Sequence, residues 1–409
     1  MYVINAASNG IGGHFYSLKS TVEAIGQSAQ CVIVNIGKAK SPAINAIDSQ
    51  IYNIIYSHYN PVGTFLGLAK IVKSEQPDVI HAFDMDSLFY VNIISHYYKK
   101  PYITTLCGGP NPTFFPKVKN LIVFSNENKN FFEKNPKYNN SNIYHIPNRI
   151  WRPTQDYNII DEIRRKLDPK AHIFLRIARM SSFHKDSILQ SIALVNALNK
   201  ENICSQLVVV GSIQERDVYE EIVKETGENV ILLTDERYTI NASKLIDISE
   251  VVIGTGRGFM EGASIGKIML CPSNHSEYPV LVTKDNLSSL FDNNFSIRSF
   301  DNSSANSNNF SALVQVLQND ELRSDLKNYM RQISQECFEI EPLLDKYMNI
   351  YQKLEYDPKI DVFDSFVHLA EVTYANSLLL RPLLRPIRSY MSTLIKKENE
   401  RSSHNYKRP

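Results

Sequence analysis

The sequence predicts two doubly wound α/β domains facing a cleft, followed by a helical C-terminal extension. Three observations lead there. Along the first 150 residues, short runs rich in Val, Ile and Tyr alternate with helix-length amphipathic segments, the pattern of βαβ crossovers and a parallel sheet. The alternation stops at "IPNRIWRPT", where Pro147 and Pro153 bracket a linker, and restarts near residue 172. At 409 residues the chain also exceeds what one ordinary core organises.

The strands of the first domain (1–150) are "MYVINAA", "QCVIVNI", "PDVIHAF", "PYITTLC", "NLIVFS" and "NIYHIP". Each is four to eight residues long and β-branched or aromatic. Helices are expected over 14–26, 64–75 and 86–99. In the second domain (151–354) the strands are "HIFLRIAR", "SQLVVVGS", "NVILLTD", "VVIGTG" and "KIMLCPS", with helices over 186–200, 214–226 and 239–248 and a purely helical closing stretch over 306–354. Residues 355–409 form a separate, increasingly basic tail. Two such Rossmann-like domains bind ligands in the cleft between them, at the carboxyl ends of their strands.

Composition narrows the function. Hydrophobic residues at 43% and charged residues at 21% describe a globular chain. A net charge of +1 argues against a nucleic-acid binder, which carries a large basic excess. Five cysteines, at 31, 107, 204, 271 and 337, form no CxxC pair and read as free thiols in a reducing compartment. The first residues lack the charged and apolar regions of a secretory signal, and no apolar run reaches a membrane span. A cytoplasmic protein is expected.

Four stretches carry chemistry. "NAASNGIGGHF" after the first strand is a glycine-rich turn into a helix, with Gly12 and Gly13 placed to present backbone N–H groups to a phosphate. A tight turn without a ligand is the alternative. The dinucleotide fingerprint is broken, because Phe15 stands at its third glycine and Asn35 where an acid belongs. "HAFDMDS" puts His81 and Asp84 at a strand's carboxyl end. Asp84 and Asp86 have the spacing of a metal-binding carboxylate pair, but Asp86 as a helix N-cap is preferred. "LRIARMSSFHKDS" aims Arg179 and Lys185 at one mouth of the second sheet, a fork of donors and a point charge suited to a diphosphate. Pairing of each cation to a surface acid is the alternative. Finally, "VVIGTGRGFMEGASIGK" opens a helix with Gly254, Gly256 and Gly258 and carries one acid, Glu261, in its first turns. Glutamate is favourable there in itself; three glycines suggest close approach of a ligand.

In this combination, and with "GGHFYSL", "PDVIHAFD", "ITTLCGG" and "NIYHIPNR" in order before it, the chain resembles the family-4-like glycosyltransferases of the two-domain GT-B fold over residues 1–350. The resemblance implies that Arg179 and Lys185 bind the donor diphosphate and that Glu261 holds the nucleotide ribose. Gly12 and Gly13 would approach the donor phosphate, with Gly254, Gly256 and Gly258 leaving room for the nucleotide sugar. On the acceptor side lie His81, Asp84 and Cys107. It further implies retention of configuration, no metal and no cofactor. The sequence departs from the family in three places. Ile253 replaces an acid that contacts the donor sugar, Cys107 replaces a histidine after "ITTL", and Arg179 and Lys185 stand one residue further apart than usual, with Ala178 in place of a glycine. The implied function is a glycosyltransferase moving a sugar from a nucleotide diphosphate sugar to a glycan or lipid-linked acceptor in surface polysaccharide synthesis of the bacterial type. A nucleotide-sugar epimerase and a non-catalytic nucleotide-sugar-binding subunit are the alternatives.

The tail, residues 376–409, holds eight Lys/Arg and two Glu, so of the +1 overall it carries +6 and leaves the preceding residues at −5. Ile387, Tyr390, Met391, Leu394 and Ile395 mark one apolar helical face. Reversible attachment to an anionic membrane surface is expected, with packing on the first domain as the alternative.

Overall fold

The structure, a computed structural model, describes residues 1–6, 10, 12–37, 40–55, 61–299, 306–359, 361–376 and 385–386. The chain divides into two compact units, Met1–Ile146 with Glu341–Pro409, and Pro147–Ile340.

The first unit is built on a seven-stranded, wholly parallel sheet. Its strands are β1 Tyr2–Ala6, β2 Val32–Gly37, β3 Gln50–Ile54, β4 Ile80–Ala82, β5 Tyr102–Leu106, β6 Asn120–Val123 and β7 Asn142–His145, in spatial order 3-2-1-4-5-6-7. The helices are α1 Gly13–Ile25, α2 Pro42–Asn45, α3 Pro61–Glu75, α4 Met85–Tyr98 and α5 Asn126–Lys134. One face of the sheet packs Leu68, Val72, Leu88, Val91 and Ile94 from α3 and α4, the other Phe15, Leu18 and Val22 from α1. Strand β3 was not expected. It is a half-exposed edge strand in which polar Gln50 and Asn53 interrupt the apolar pattern, and Asn35 Nδ2 donates to Asn53 Oδ1 across the pair at 3.0 Å.

In the second unit, β8 His172–Ile177, β9 Ser205–Val210, β10 Val230–Leu233, β11 Val251–Ile253, β12 Ile268–Cys271 and β13 Val280–Leu281 form a sheet of order 10-9-8-11-12-13. Only β13 is antiparallel, and its two residues after Pro279 are too few to leave a pattern in the sequence. The helices are α6 Tyr157–Arg164, α7 Ser182–Lys200, α8 Arg216–Glu225, α9 Glu236–Thr239, α10 Gly256–Ile265, α11 Leu287–Asp292, α12 Asn306–Gln318 and α13 Asp320–Cys337. The expected helix over 239–248 is instead the single turn α9 and a 3-10 stretch over Ala242–Ile248, separated at Asn241 by a left-handed φ of 51°.

The expected domain boundaries need correction. The first crossing falls at Ile146/Pro147, and the second unit ends at Ile340, so residues 341–354 do not close it. Ile150 forms a parallel bridge with Glu339, so the segments entering and leaving the second unit pair with each other. The chain then returns to the first unit through a 3-10 turn and α14 Leu344–Gln352. Tyr347 and Ile350 bury with Phe15 and Leu18, and the Tyr351 hydroxyl meets the Tyr2 hydroxyl at 2.9 Å and His81 Nδ1 at 2.8 Å. The tail begins as α15 Val362–Asn376, which packs Val372 into the α3/α4 core; Asp364 accepts from Lys117 N and pairs with Lys137. The expected amphipathic face over 387–395 lies outside the described residues. Among those described, no helix is long and apolar enough to cross a membrane.

Glu250, immediately before β11, ties the second sheet to α13. Its carboxylate meets His172 Nδ1 at 3.0 Å, Lys327 Nζ at 2.8 Å and Arg323 Nε at 3.4 Å. The His172 hydrogen bond, then Lys327 and Arg323, hold its pKa down to about 2 from an ordinary 4.5. A depressed acid stabilises the fold above its unfolded pKa and loses that contribution as pH falls through the folded value. Glu250→Gln should therefore lower stability at pH 7 by about 2 kcal/mol. The difference from the parent should narrow between pH 4.5 and about 2, as read by urea unfolding across that range.

Candidate functional site

The candidate residues fall into two groups, one in each unit. In the second unit they gather at the carboxyl ends of β8 and β11. Arg176, on β8, is wholly buried; Nη1 donates to the Ile253 carbonyl at 3.1 Å and Nη2 to Ser187 Oγ at 2.8 Å. This residue, missed in the sequence, stitches β8 to β11 and α7, and burial pulls its pKa down to about 10. Arg179 follows the strand. It is half-buried, burial lowers its pKa, and among the described residues its guanidinium has no acid or hydrogen-bond partner. Burial, then Arg176 and Arg179, depress His184 to a pKa of about 3, so its imidazole is neutral near pH 7. Lys185 does not stand free as expected. In the first turn of α7 it is ion-paired with Glu221 of α8, the surface-acid alternative. The Glu215 carboxylate meanwhile accepts from Ser182 N and Oγ at the start of the same helix. An exposed lysine pair of this kind is worth little and breaks easily.

The three glycines at the end of β11 turn out to have three different causes. A Cβ on Gly254 would lie 2.7 Å from the backbone N and Cα of Phe259, so the strand end touches the helix backbone. Gly256 has a left-handed φ of 49°. A Cβ on Gly258 meets nothing within 4 Å. Only the last of these opens on free space; Gly254 serves packing. Glu261 lies in the second turn of α10 and is buried, and its Oε1 accepts from Arg257 Nε at 2.8 Å. Burial raises its pKa and Arg257 opposes the rise. Arg257 Nη1 also donates to the Arg149 carbonyl at 3.3 Å. The i, i+4 spacing of Arg257 and Glu261 was a signal present in the sequence. Ile253, at the family's acidic position, is fully buried in the core.

In the first unit, Gly12 caps α1; a Cβ there would meet the imidazole of His14 at 2.7 Å, whereas Gly13 opens on free space. The expectations for His81 and Asp86 do not hold. His81 is buried with both ring nitrogens occupied, Nδ1 by Tyr351 and Nε2 by Thr105 Oγ1 at 2.7 Å; burial takes its pKa to about 3. It is a neutral core histidine and cannot serve an acceptor. The helix cap is Asp84, not Asp86. Asp84 Oδ1 accepts from Ser87 N at 2.6 Å and Oδ2 from Asn5 N at 2.6 Å. Burial and neighbouring Asp86 lift the Asp84 carboxyl to about 7. Asn5 Nδ2 donates to Asp86 Oδ2 at 3.2 Å. Cys107 donates to the Phe83 carbonyl at 3.4 Å; burial and Asp84 push its thiol well up, away from the nucleophilic thiolate.

No protein-family model and no curated protein matches the sequence. Solved structures do match. A glycosyltransferase from Rickettsia africae superposes with a TM-score of 0.61 at 15% identity, over 86% of this chain and 97% of that one. HepE from Anabaena, in complex with UDP-glucose, gives 0.64 at 12%, over 86% and 99%. A UDP-GlcNAc 2-epimerase from Neisseria meningitidis bound to UDP-GlcNAc gives 0.52 at 12%, over 86% and 99%. At these identities the likeness is one of fold. The chain has the GT-B fold of two parallel-sheet α/β units with helices at its C-terminus.

The glycine assignments predict opposite outcomes. Gly254→Ala forces a methyl against the rigid Phe259 backbone and should cost about 1–3 kcal/mol. Gly258→Ala should be neutral or stabilise by up to about 1 kcal/mol, as alanine does inside helices. Thermal unfolding of the two variants checks both.

Proposed function

We propose that the protein is a glycosyltransferase that moves a hexose from a nucleotide diphosphate sugar to a glycan or lipid-linked acceptor, with retention and without a metal, in surface polysaccharide synthesis. The observation that carries this reading is the unpartnered, half-buried guanidinium of Arg179. It stands after β8, beside the strand β11 that leads into the glycine-opened helix bearing Glu261. The likeness of fold to HepE, crystallised with UDP-glucose, supports it.

On this reading the donor diphosphate lies against Arg179, and Lys185 joins it by exchanging Glu221 for phosphate. The two cations stabilise the charge that develops on the leaving diphosphate. Arg257 occupies Glu261 Oε1, and the ribose hydroxyls donate to the remaining capacity of that carboxylate. Gly258 leaves room for the donor above α10, and Gly13 for its phosphate in the first unit. Asp84, with a carboxyl that titrates near neutrality beside Cys107, supplies the acceptor side. Two second readings have support of their own. Buried Ile253 and the unreactive Cys107 favour a non-catalytic nucleotide-sugar-binding subunit, and the fold shared with the Neisseria enzyme favours an epimerase. A panel of nucleotide sugars scored for transfer or hydrolysis, epimer formation, or binding alone separates the three.

Glu261→Ala should weaken nucleotide-sugar affinity by about two orders of magnitude, the worth of one or two hydrogen bonds to a charged group. Glu261→Gln, which keeps the volume beside Arg257, controls for folding. Unchanged affinity in both would remove Glu261 from the site. We further propose that residues 376–409 attach the protein reversibly to anionic membranes. The full chain should sediment with anionic liposomes at low salt and a chain ending at Ser377 should not; equal partitioning would refute attachment through the tail.

A further inference from the structure

The helices that cover one face of the first sheet are apolar on their outer side as well as their inner one. α3, α4 and α15 pack into the same core, through Leu68 and Val72, Leu88 and Ile94, and Val372. Yet six of the thirteen large apolar side chains exposed among the described residues belong to these three helices: Val62 and Leu66 on α3, Tyr97 on α4, and Val362, Phe363 and Phe366 on α15. α15 is the extreme case. Its Val362, Phe363 and Phe366 are 74%, 56% and 61% exposed, while Val367 and Val372 are buried. A surface helix keeps one apolar stripe for the core and turns a polar face outward. Apolar residues exposed singly are ordinary, but a contiguous set marks an interaction surface. These residues do join up, around the end of α4. Tyr97 meets Phe65 of α3 edge-on at 6.4 Å, and the adjacent His96 meets the Lys359 carbonyl at 3.1 Å, just before Val362 opens α15.

Charge singles out the partner. Among the described residues, the other exposed positions of the three helices are Lys70, Lys73 and Ser74, and none is an acid. Glu75 accepts from the Tyr52 hydroxyl, Asp364 is buried against Lys137, and Asp86 and Glu371 are half-buried. Asp361, exposed just before α15, is engaged in capping it, its Oδ1 accepting from Asp364 N at 2.9 Å. α15 also runs directly into residues 376–409, which carry +6. Aromatic rings and lysines are the side chains suited to a bilayer surface, the rings at headgroup level and the ammonium groups held in water on apolar stems. We propose that the outer face of α3, α4 and α15 lies on an anionic phospholipid bilayer, with Phe363 and Phe366 inserted among the headgroups. This rests on the membrane reading of the tail above and extends it. The tail draws the chain to the surface by charge, and the aromatic face holds it there by apolar burial. One such signal binds only marginally, and two together anchor.

The two parts separate by salt, which screens charge and leaves apolar burial in place. The test is flotation of the full chain with mixed phosphatidylglycerol and phosphatidylcholine vesicles, at low salt and at about 0.5 M NaCl. The parent should stay bound in both. Phe363→Ser/Phe366→Ser should bind within about threefold of the parent at low salt and at least about tenfold more weakly at high salt. Its melting temperature should not fall, because both rings are exposed. In a second measurement, brominated lipid should quench the fluorescence of a Phe366→Trp variant beyond that of the parent, whose one tryptophan is Trp151. Equal partitioning of the double variant and the parent at high salt, or no added quenching in Phe366→Trp, would overturn the docking face. So would a parent dimer that the double variant converts to a monomer, since the face would then belong to a second copy. A chain ending at Ser377 that partitions like the parent would instead refute the tail and leave the face as the attachment. A parent that binds no vesicle at low salt would overturn both.

Discussion

The backbone of Gly254 rests directly on the backbone of Phe259, with no space for even one carbon between them. Everything at the mouth of the second sheet follows from this contact. It sets how closely α10 starts behind β11, and so forces the left-handed turn at Gly256. That turn directs the Gly256 N–H onto Asn294 and brings Phe259 under Phe295. It also fixes the depth at which Glu261 is buried, since a helix started further out would leave that carboxylate in solvent. Interiors are close-packed, so a displacement here is transmitted rather than absorbed.

Burying charge at this depth has a cost that the sequence distributes carefully. Glu261 is held by Arg257 four residues before it, one turn up the same helix. Arg176 has no acid beside it; a carbonyl and a hydroxyl take its two terminal nitrogens instead, while its buried Nε has no partner among the described residues. Arg179 alone of this group stands without such a partner among the described residues. A cation half-removed from water and left uncompensated carries its desolvation cost within the fold itself.

Much of this was legible in the sequence, and the failures have physical causes. The alternation of apolar runs and amphipathic segments identified eleven of the strands and the two-unit plan, because buried parallel strands are continuous apolar runs. It missed β3, whose polar edge obeys no such rule, and β13, which is too short to carry one. The glycine loop and Glu261 were visible as types in a pattern; the reason for each glycine was not, because a positive φ, a backbone contact and an open space look identical as a letter. His81 was misjudged since a strand's carboxyl end implies nothing about which face a side chain takes, and this one turns into the core toward Tyr351, which lies 270 residues away in sequence.

The return of α14 to the first unit bears on how the protein is made. His81, Tyr2 and the apolar face of α1 find their partners on Tyr347, Ile350 and Tyr351, so the unit that begins the chain is finished only near its end. Between them the second unit runs without interruption from Pro147 to Ile340. Domains fold as units during synthesis, ordinarily from the N-terminus onward. Here that order is inverted for completion: the later unit has all its parts first, while the earlier one waits on the ribosome with a polar row and an apolar helix face uncovered. Translation through residues 147–340 is thus the interval in which the nascent chain most needs shielding.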